Sequence, residues 1–131
     1  MQRDIVSTTS APAAIGPYSQ GVKASGKFLY TAGQIPLDPS TMEVVGTTAA
    51  EQCKQVMKNL QAILTAAGTD FDHVIKTTIF LKSMSDFAAV NEVYGRHFTS
   101  HYPARATVAV VGLPKGAAVE MDAVAVVPGA G

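Results

Sequence analysis

A chain of 131 residues has the length of one domain and is long enough to enclose a hydrophobic core. Its formal net charge is zero and its lysines are scattered, which argues against a dedicated nucleic-acid binder and a polybasic membrane anchor. No apolar stretch approaches the roughly 20 residues that span a bilayer, and the first residues lack the apolar core of a secretory signal, so we expect neither.

The first third of the chain is predicted to be extended. Residues 4–8 can form a short strand, and the prolines and glycine of residues 11–20 indicate a loop. Residues 21–36 are typical of a β-hairpin that turns at residues 25–27, because aromatic and β-branched residues follow a glycine there. Residues 37–46 predict a further turn and a short extended piece.

The first helix has the clearest signals of any element. Thr48 and Glu51 have the spacing of a capping box, in which a hydroxyl and a carboxylate satisfy free N–H groups at the helix start. Gly68 is a natural end, because glycine adopts the left-handed conformation that terminates many helices. The apolar face of this helix is predicted to comprise Ala49, Cys53, Val56, Leu60, Ile63, Leu64 and Ala67.

A strand and a second helix follow. Residues 73–83 are rich in β-branched and aromatic side chains and predict a strand. Residues 85–100 have helical spacing, with Ser85 or Asp86 as the predicted cap. The apolar stripe of this helix is predicted to comprise Phe87, Val90, Tyr94 and Phe98.

Two strands, residues 104–112 and 117–127, are predicted to close the chain as a hairpin that turns at residues 113–116. The element order is then β-β-β-α-β-α-β-β within a single domain, residues 1–131. Strands next to strands with two interspersed helices describe an α+β fold, a mixed β-sheet with two helices on one face.

The other face of that sheet lacks cover. Val108 and Val110 lie on one face of their strand and Ala109 and Val111 on the other, so both faces are apolar and need cover. Charged residues make up only 15% of the chain, against a usual share of about 25%. We therefore predict that a second subunit covers this face, in preference to a monomer whose surface is rich in Ala, Gly and Thr.

Residues that commonly bind metals or act as nucleophiles are few. His97 and His101 are four residues apart, but no metal-binding motif includes them or His73, so we predict no metal site. Cys53, the only cysteine, is predicted to be a buried structural residue, because it lies on the apolar face of its helix. Since it cannot form an intrachain disulfide, a reducing intracellular location is the simplest interpretation.

Arg105, one of only three arginines, stands at the start of a strand that is otherwise apolar. In the predicted hairpin it shares a face with Thr107 and comes within a few rungs of Glu120 and Asp122. Two interpretations remain open. Arg105 forms a structural ion pair with one of these carboxylates, or it binds a ligand carboxylate bidentately while Glu120 orients a water and Tyr18 closes the pocket.

Four blocks of the sequence carry a family resemblance. They are "PARATVAVVGLPKGAAVEM" at residues 103–121 and, in the same order as in the family, residues 11–22, 32–39 and 74–94. Together they resemble the RidA/YjgF family of reactive-intermediate (enamine/imine) deaminases over nearly the whole chain. The resemblance implies a small chorismate-mutase-like α+β fold and a homotrimer with equivalent ligand clefts between subunits.

The resemblance also implies an activity. Family members hydrolyse 2-enamino or 2-imino acids, such as 2-iminobutanoate and 2-iminopropanoate, to 2-oxo acids and ammonia. PLP-dependent dehydratases release these reactive compounds, and the family needs neither a metal nor an organic cofactor. The expected location is the cytoplasm or the mitochondrial matrix.

The family's site residues match positions of this chain. Arg105 matches the carboxylate-binding arginine, Glu120 the glutamate that orients the water and Tyr18 the pocket tyrosine, so these are the predicted catalytic residues. The predicted substrate-binding residues are Arg105, Gly33, Thr107, Asn91 and Phe87.

Three positions depart from the family pattern. Thr107 stands where many members carry cysteine, Ala32 replaces a common serine, and Val111 is larger than the usual residue. These departures exclude a thiol role for Thr107 and keep open a ligand-binding regulatory trimer with little turnover. The family also implies a third function, an RNA-directed translation inhibitor, endoribonuclease or chaperone-like protein, although the neutral charge balance weighs against RNA.

Overall fold

The computed structural model describes residues 2–129 of the chain. Its strands and long helices are β1 Gln2–Val6, β2 Gly21–Ser25, β3 Lys27–Tyr30, α1 Ala49–Ala67, β4 Val74–Leu81, α2 Phe87–Gly95, β5 Ala104–Ala109 and β6 Val119–Val127. The predicted order of strands and helices is confirmed. Two elements end earlier than predicted, β3 at Tyr30 instead of residue 36 and α2 at Gly95 instead of residue 100, so Phe98 of the predicted apolar stripe lies beyond the helix.

The predicted α+β class is also confirmed. Four strands form a mixed sheet in the order β3-β6-β4-β5, in which β4 and β5 are parallel and the other neighbours are antiparallel. β1 and β2 form a separate antiparallel pair. Both helices pack on the same face of the four-stranded sheet, where their apolar residues and those of β4 and β6 form one core.

Both predicted hairpins are wrong. β2 pairs with β1 while β3 pairs with β6, so the chain turns a corner at Gly26, whose φ of 128° favours glycine. β5 and β6 are not neighbours, because β4 lies between them. β4, α2 and β5 form a βαβ unit whose parallel strands place β5 at the edge of the sheet, and residues 110–118 lead the chain past β4 to β6.

The alternation of β6 shows which face of the sheet is the core. Its residues that face the helices are the buried Val119, Met121, Ala123 and Ala125. The residues between them point to the opposite side, where Tyr30 of β3 is 72% exposed and Val108 of β5 is 44% exposed. A single chain leaves this face uncovered, and its cover by a second subunit stays a prediction.

α1 begins and ends as predicted. The side chain of Thr48 accepts a hydrogen bond from the backbone N–H of Glu51 at 3.1 Å, and the Glu51 carboxylate accepts one from the backbone N–H of Thr48 at 3.1 Å. Gly68 ends the helix with a φ of 83° and donates its N–H to the carbonyls of Leu64 and Thr65. These contacts satisfy the backbone groups that a helix leaves free at its termini.

α2 begins differently from the prediction. The predicted capping residue was Ser85 or Asp86. The capping residue at this end is instead Ser83, whose hydroxyl accepts a hydrogen bond from the backbone N–H of Ser85. Ser83 thereby caps a short 3₁₀ turn, Met84–Asp86, that leads directly into α2. Within residues 2–129, no helix is both long enough and apolar enough to cross a membrane.

The capping box predicts how acid affects the start of α1. Hydrogen bonds from Thr47 and Thr48 lower the pKa of Glu51 from 4.5 to about 2. Because the folded state has the lower pKa, the stabilisation is fully present above pH 4.5 and is lost as the pH falls through about 2. We expect Glu51→Gln to melt below the wild type at neutral pH, with the two Tm values converging as the pH approaches 2. A Tm difference that stays constant over this range would contradict the prediction.

Candidate active site

Arg105 lies at the start of β5 and points to the helix side of the sheet. Its neighbour in the parallel pair with β4 is Thr77, which is 2% exposed and faces the core. Nη1 of Arg105 donates a hydrogen bond to Oδ1 of Asn91 on α2 at 2.7 Å. Burial lowers the pKa of the guanidinium, but arginine titrates so far above neutrality that it stays charged.

Three aromatic rings surround this cation. Cζ of Arg105 lies 5.4 Å from the ring centroid of Tyr18, 5.6 Å from that of Phe87 and 5.4 Å from that of Tyr94. The faces of such rings attract a guanidinium and keep water away from it, but they carry no net charge. Since Asn91 is also neutral, the positive charge of Arg105 remains available to an anion.

Tyr94 is the buried back wall of this cluster. Its hydroxyl oxygen lies 2.8 Å from Oγ1 of Thr77, and both side chains are buried. Burial raises the pKa of Tyr94, so its hydroxyl stays protonated. The pair therefore shapes the site and does not exchange protons with a ligand.

We expect the removal of one partner of this buried pair to destabilise the protein more than the removal of both. Tyr94→Phe leaves the Thr77 hydroxyl buried without a partner, at a cost of about 1–3 kcal/mol in the free energy of unfolding. The double variant Tyr94→Phe/Thr77→Val removes both polar groups and should recover most of that loss. Denaturant unfolding of Tyr94→Phe, Thr77→Val and the double variant checks this, and a double variant whose loss equals the sum of the two single losses would contradict it.

Glu120 and Gly33 form a second cluster. The Glu120 carboxylate lies directly against the backbone of Gly33, because a Cβ built on that glycine would come 2.9 Å from Cδ of Glu120. The next residue, Gln34, holds the segment in place, since its N–H and carbonyl pair with Met121 of β6 at 2.8 and 3.0 Å. A side chain at this position would displace the carboxylate from the place where it now lies.

Within one chain, the Arg105 and Glu120 clusters lie on opposite faces of the sheet. Glu120 pairs with Phe80, and Phe80 is three residues from Thr77, the neighbour of Arg105. Because successive side chains of a strand point to opposite faces, Glu120 faces the uncovered side while Arg105 faces the helices. The predicted proximity of Arg105 to Glu120 and Asp122 is wrong. It depended on a β5–β6 hairpin, and the polar partner of Arg105 is Asn91.

Thr107 lies two residues beyond Arg105 on the same face of β5. Its hydroxyl oxygen is buried and has no hydrogen-bond partner among the described residues. Buried polar atoms are nearly always paired, so an unpaired one normally indicates a partner that the chain itself does not provide. Thr107 was predicted to bind substrate, and the structure shows that its hydroxyl has no partner among the described residues.

The cysteine lies in the core, and two of the three histidines have polar partners of their own. Cys53 is buried in the core as predicted, and burial raises its pKa to about 12, which makes it a poor nucleophile. Nδ1 of His73 lies 2.6 Å from the Asp70 carboxylate, and Nδ1 of His97 lies 3.0 Å from the Val93 carbonyl. In the part of the chain that the structure describes, no three His, Cys, Asp or Glu side chains are grouped to hold a metal ion.

Comparison with known proteins places the chain in a family. A family model described as Endoribonuclease L-PSP matches residues 8–127. Protein DfrA of Myxococcus xanthus is 55% identical over 127 residues, which cover 96% of this chain and 97% of DfrA. The 2-iminobutanoate/2-iminopropanoate deaminase of the mouse is 50% identical over 124 residues, which cover 95% of this chain and 91% of the mouse protein. The chain belongs to the RidA/YjgF family.

Solved structures of the RidA/YjgF family share this fold. RidA from an Antarctic Psychrobacter matches with a TM-score of 0.73 and 41% identity, covering 94% of this chain and 98% of that one. Escherichia coli TdcF, solved with bound serine, matches with a TM-score of 0.71 and 41% identity over the same shares of the two chains. The resemblance seen in the four sequence blocks is therefore confirmed, and at least one relative binds a small amino acid.

The sequence of this RidA/YjgF member revealed some of the Arg105 cluster and missed the rest. The structure brings together four predicted residues, Arg105, Tyr18, Phe87 and Asn91. Tyr94 was missed because its spacing assigns it to the apolar stripe of α2, and that spacing is the same whether the ring contacts the core or a cation. One signal in the sequence could have revealed it. Thr77 places a hydroxyl at a buried position of β4, and a buried hydroxyl needs a polar partner, which the Tyr94 hydroxyl provides.

Proposed function

We propose that this chain is an enamine/imine deaminase that hydrolyses 2-iminobutanoate and 2-iminopropanoate to 2-oxo acids and ammonia. The observation that carries the proposal is the state of Arg105, a half-buried cation held by a neutral amide and enclosed by three rings. Its remaining N–H donors suit a small carboxylate, which a guanidinium binds bidentately. Relatives named for this activity, from mouse and human, are 50% and 48% identical to this chain.

The active unit that we propose is a homotrimer with its clefts between subunits. Arg105 and Glu120 point to opposite faces of one chain, so one small substrate cannot contact both within a monomer. The uncovered face of a neighbouring copy, which carries Glu120 and Gly33, can complete the Arg105 cluster. A contact between two different surfaces of identical chains closes into a ring when its rotation divides a full turn, and the family resemblance supports a ring of three members.

The proposed reaction consumes one water and needs no cofactor. After the enamine tautomerises to the imine, the water oxygen bonds to C2, the C2–N bond breaks, and nitrogen leaves as ammonia with both protons of the water. Arg105 holds the substrate carboxylate, while Glu120 orients the water and passes one of its protons towards the nitrogen. A reducing compartment, the cytoplasm or the mitochondrial matrix, suits a chain whose single cysteine is unpaired.

The assay that tests this function uses the unstable substrate as it forms. A PLP-dependent dehydratase releases 2-aminoacrylate from serine, and pyruvate is followed with and without this protein. We expect faster pyruvate formation at unchanged dehydratase activity. If pyruvate forms at the spontaneous rate while 2-oxobutanoate still binds, the chain is a ligand-binding regulator. If it cleaves RNA, and Arg105→Ala purified in the same way does not, the RNA-directed function is correct instead.

A further inference from the structure

The loop that carries Tyr18 has little regular structure of its own. Residues 7–20 connect β1 to β2, and a single backbone bridge, Ser19 to Ala104, lies within them. Two backbone hydrogen bonds lie close to Tyr18, from its own N–H to Gly16 at 2.8 Å and from Ser19 to Pro103 at 3.0 Å. The position of the Tyr18 ring over Arg105 therefore depends on contacts made by side chains.

Gln20 makes most of those contacts. Its Oε1 accepts a hydrogen bond from the backbone N–H of Thr8 at 2.6 Å. Its Nε2 lies within hydrogen-bond distance of three carbonyls, at 3.1 Å from Thr8, 3.2 Å from Ala11 and 2.5 Å from Pro12. The carboxamide of Gln20 thus connects the start of the loop to its end. It also satisfies backbone groups that are not paired within a strand or a helix.

Ser19 fastens the same loop to the strand that holds the cation. Its hydroxyl donates to the Tyr102 carbonyl and its N–H to the Pro103 carbonyl, immediately before β5 begins. The backbone bond survives any change of the Ser19 side chain, whereas every contact of Gln20 described above belongs to its side chain. Tyr18 directly precedes Ser19 and Gln20, so the shape in which these two residues hold the loop sets the position of its ring.

We infer that Gln20 is a positioning residue of the active site, which holds residues 8–18 in the shape that keeps the Tyr18 ring over Arg105. The inference rests on the proposed deaminase function and extends it to a side chain that acts only through Tyr18. Without Gln20 the start and the end of the loop are no longer tied together, and Tyr18 keeps only its local contacts, from the backbone N–H of Ile15 to its hydroxyl at 3.3 Å and from its own N–H to Gly16. The ring then leaves the guanidinium, and water competes with the substrate carboxylate for Arg105. Binding of the carboxylate then weakens, while the core, which includes neither Gln20 nor Tyr18, keeps its packing.

The first test needs no substrate. Tyrosines are replaced by 3-fluorotyrosine, and the Tyr18 fluorine resonance is assigned with Tyr18→Phe. We expect Gln20→Leu to shift and broaden that resonance and to leave the resonance of Tyr30, on the opposite face of the sheet, unchanged. Gln61→Leu, at an exposed position of α1, is the matched control and should change neither. An unchanged Tyr18 resonance in Gln20→Leu would overturn the inference, whether or not the protein is a deaminase.

The second test asks whether Gln20 acts through Tyr18. In the deaminase assay we expect Gln20→Leu to raise KM about five- to tenfold, the scale of a lost cation–π contact, with kcat nearly unchanged. In a Tyr18→Ala background the same change should have no further effect. An equal loss in both backgrounds would mean a general effect on folding and would refute the positioning role. If the wild type accelerates nothing, the proposed function fails, and the fluorine experiment still decides the inference.

Discussion

Arg105→Ala should reduce kcat/KM for 2-iminopropanoate by a factor on the order of 10² to 10³, since losing one partner of a buried charge pair costs about 2–5 kcal/mol. The substrate carboxylate would enter a pocket of three rings and an amide with no cation to receive it. The core should survive, because Arg105 lies outside the cluster of buried residues. Steady-state kinetics measures kcat/KM, and a melting curve and the mass of the assembly show whether the folded protein and its assembly survive.

Two further arginine variants sharpen this result. Arg96→Ala is the matched control, because its guanidinium is exposed on the surface and pairs with Glu92 at 2.6 Å across one helical turn. It should leave kcat/KM and assembly unchanged, as exposed pairs contribute little. Arg105→Lys keeps a charge but loses the planar fork, so it should recover only part of the activity. If Arg105→Ala dissociates the assembly and kcat/KM per folded subunit is retained, Arg105 is a structural residue.

Two inactive variants should restore activity to each other when their subunits mix. Arg105→Ala removes the cation, and Glu120→Gln removes the proton acceptor, so each assembly alone should be inactive. If Arg105 of one copy meets Glu120 of the next, a mixed assembly contains clefts in which both residues are intact. The opposite-face placement of the two side chains makes this arrangement the one that can bring them together.

The measurement uses co-expression of the two variants with different tags and selection for assemblies that carry both. In a three-membered ring of mixed composition one cleft in three is intact, so about one third of wild-type activity is expected. Co-expression of Arg105→Ala with itself under the two tags is the control. Mixed assemblies as inactive as their parents would show that Arg105 and Glu120 serve the same chain's cleft. A fraction far from one third would argue against a trimer.

Local signals explain why α1 was predicted almost to the residue. A capping box acts over three residues, and a left-handed glycine acts at one position, so neither depends on the rest of the fold. The burial of Cys53 follows for the same reason, because helical spacing places it on the apolar face. The β-branched segments likewise predicted strands at the correct places in the chain.

Strand pairing is where the same reasoning failed. A turn motif such as residues 113–116 is compatible with a hairpin. Its residues give no indication that β4 lies between β5 and β6 in the sheet. That insertion arises from the parallel βαβ connection of β4 to β5 through α2, a long-range packing preference. The consequence for the site is large, because it moved Glu120 from the side of Arg105 to the opposite face of the sheet.

The sequence by itself determined the element order, the ends of α1, the family of the chain and the residues with chemical capacity, since each is written in local spacing or in residue type. Only the tertiary structure decided which of those residues meet. Arg105 contacts Tyr18, Phe87, Asn91 and Tyr94 because β5 lies at the sheet edge beside α2, whereas Glu120 meets Gly33 on the other face. The sequence shows which side chains of a strand share a face. Which of those two faces is turned to the helices depends on which strands are neighbours in the sheet.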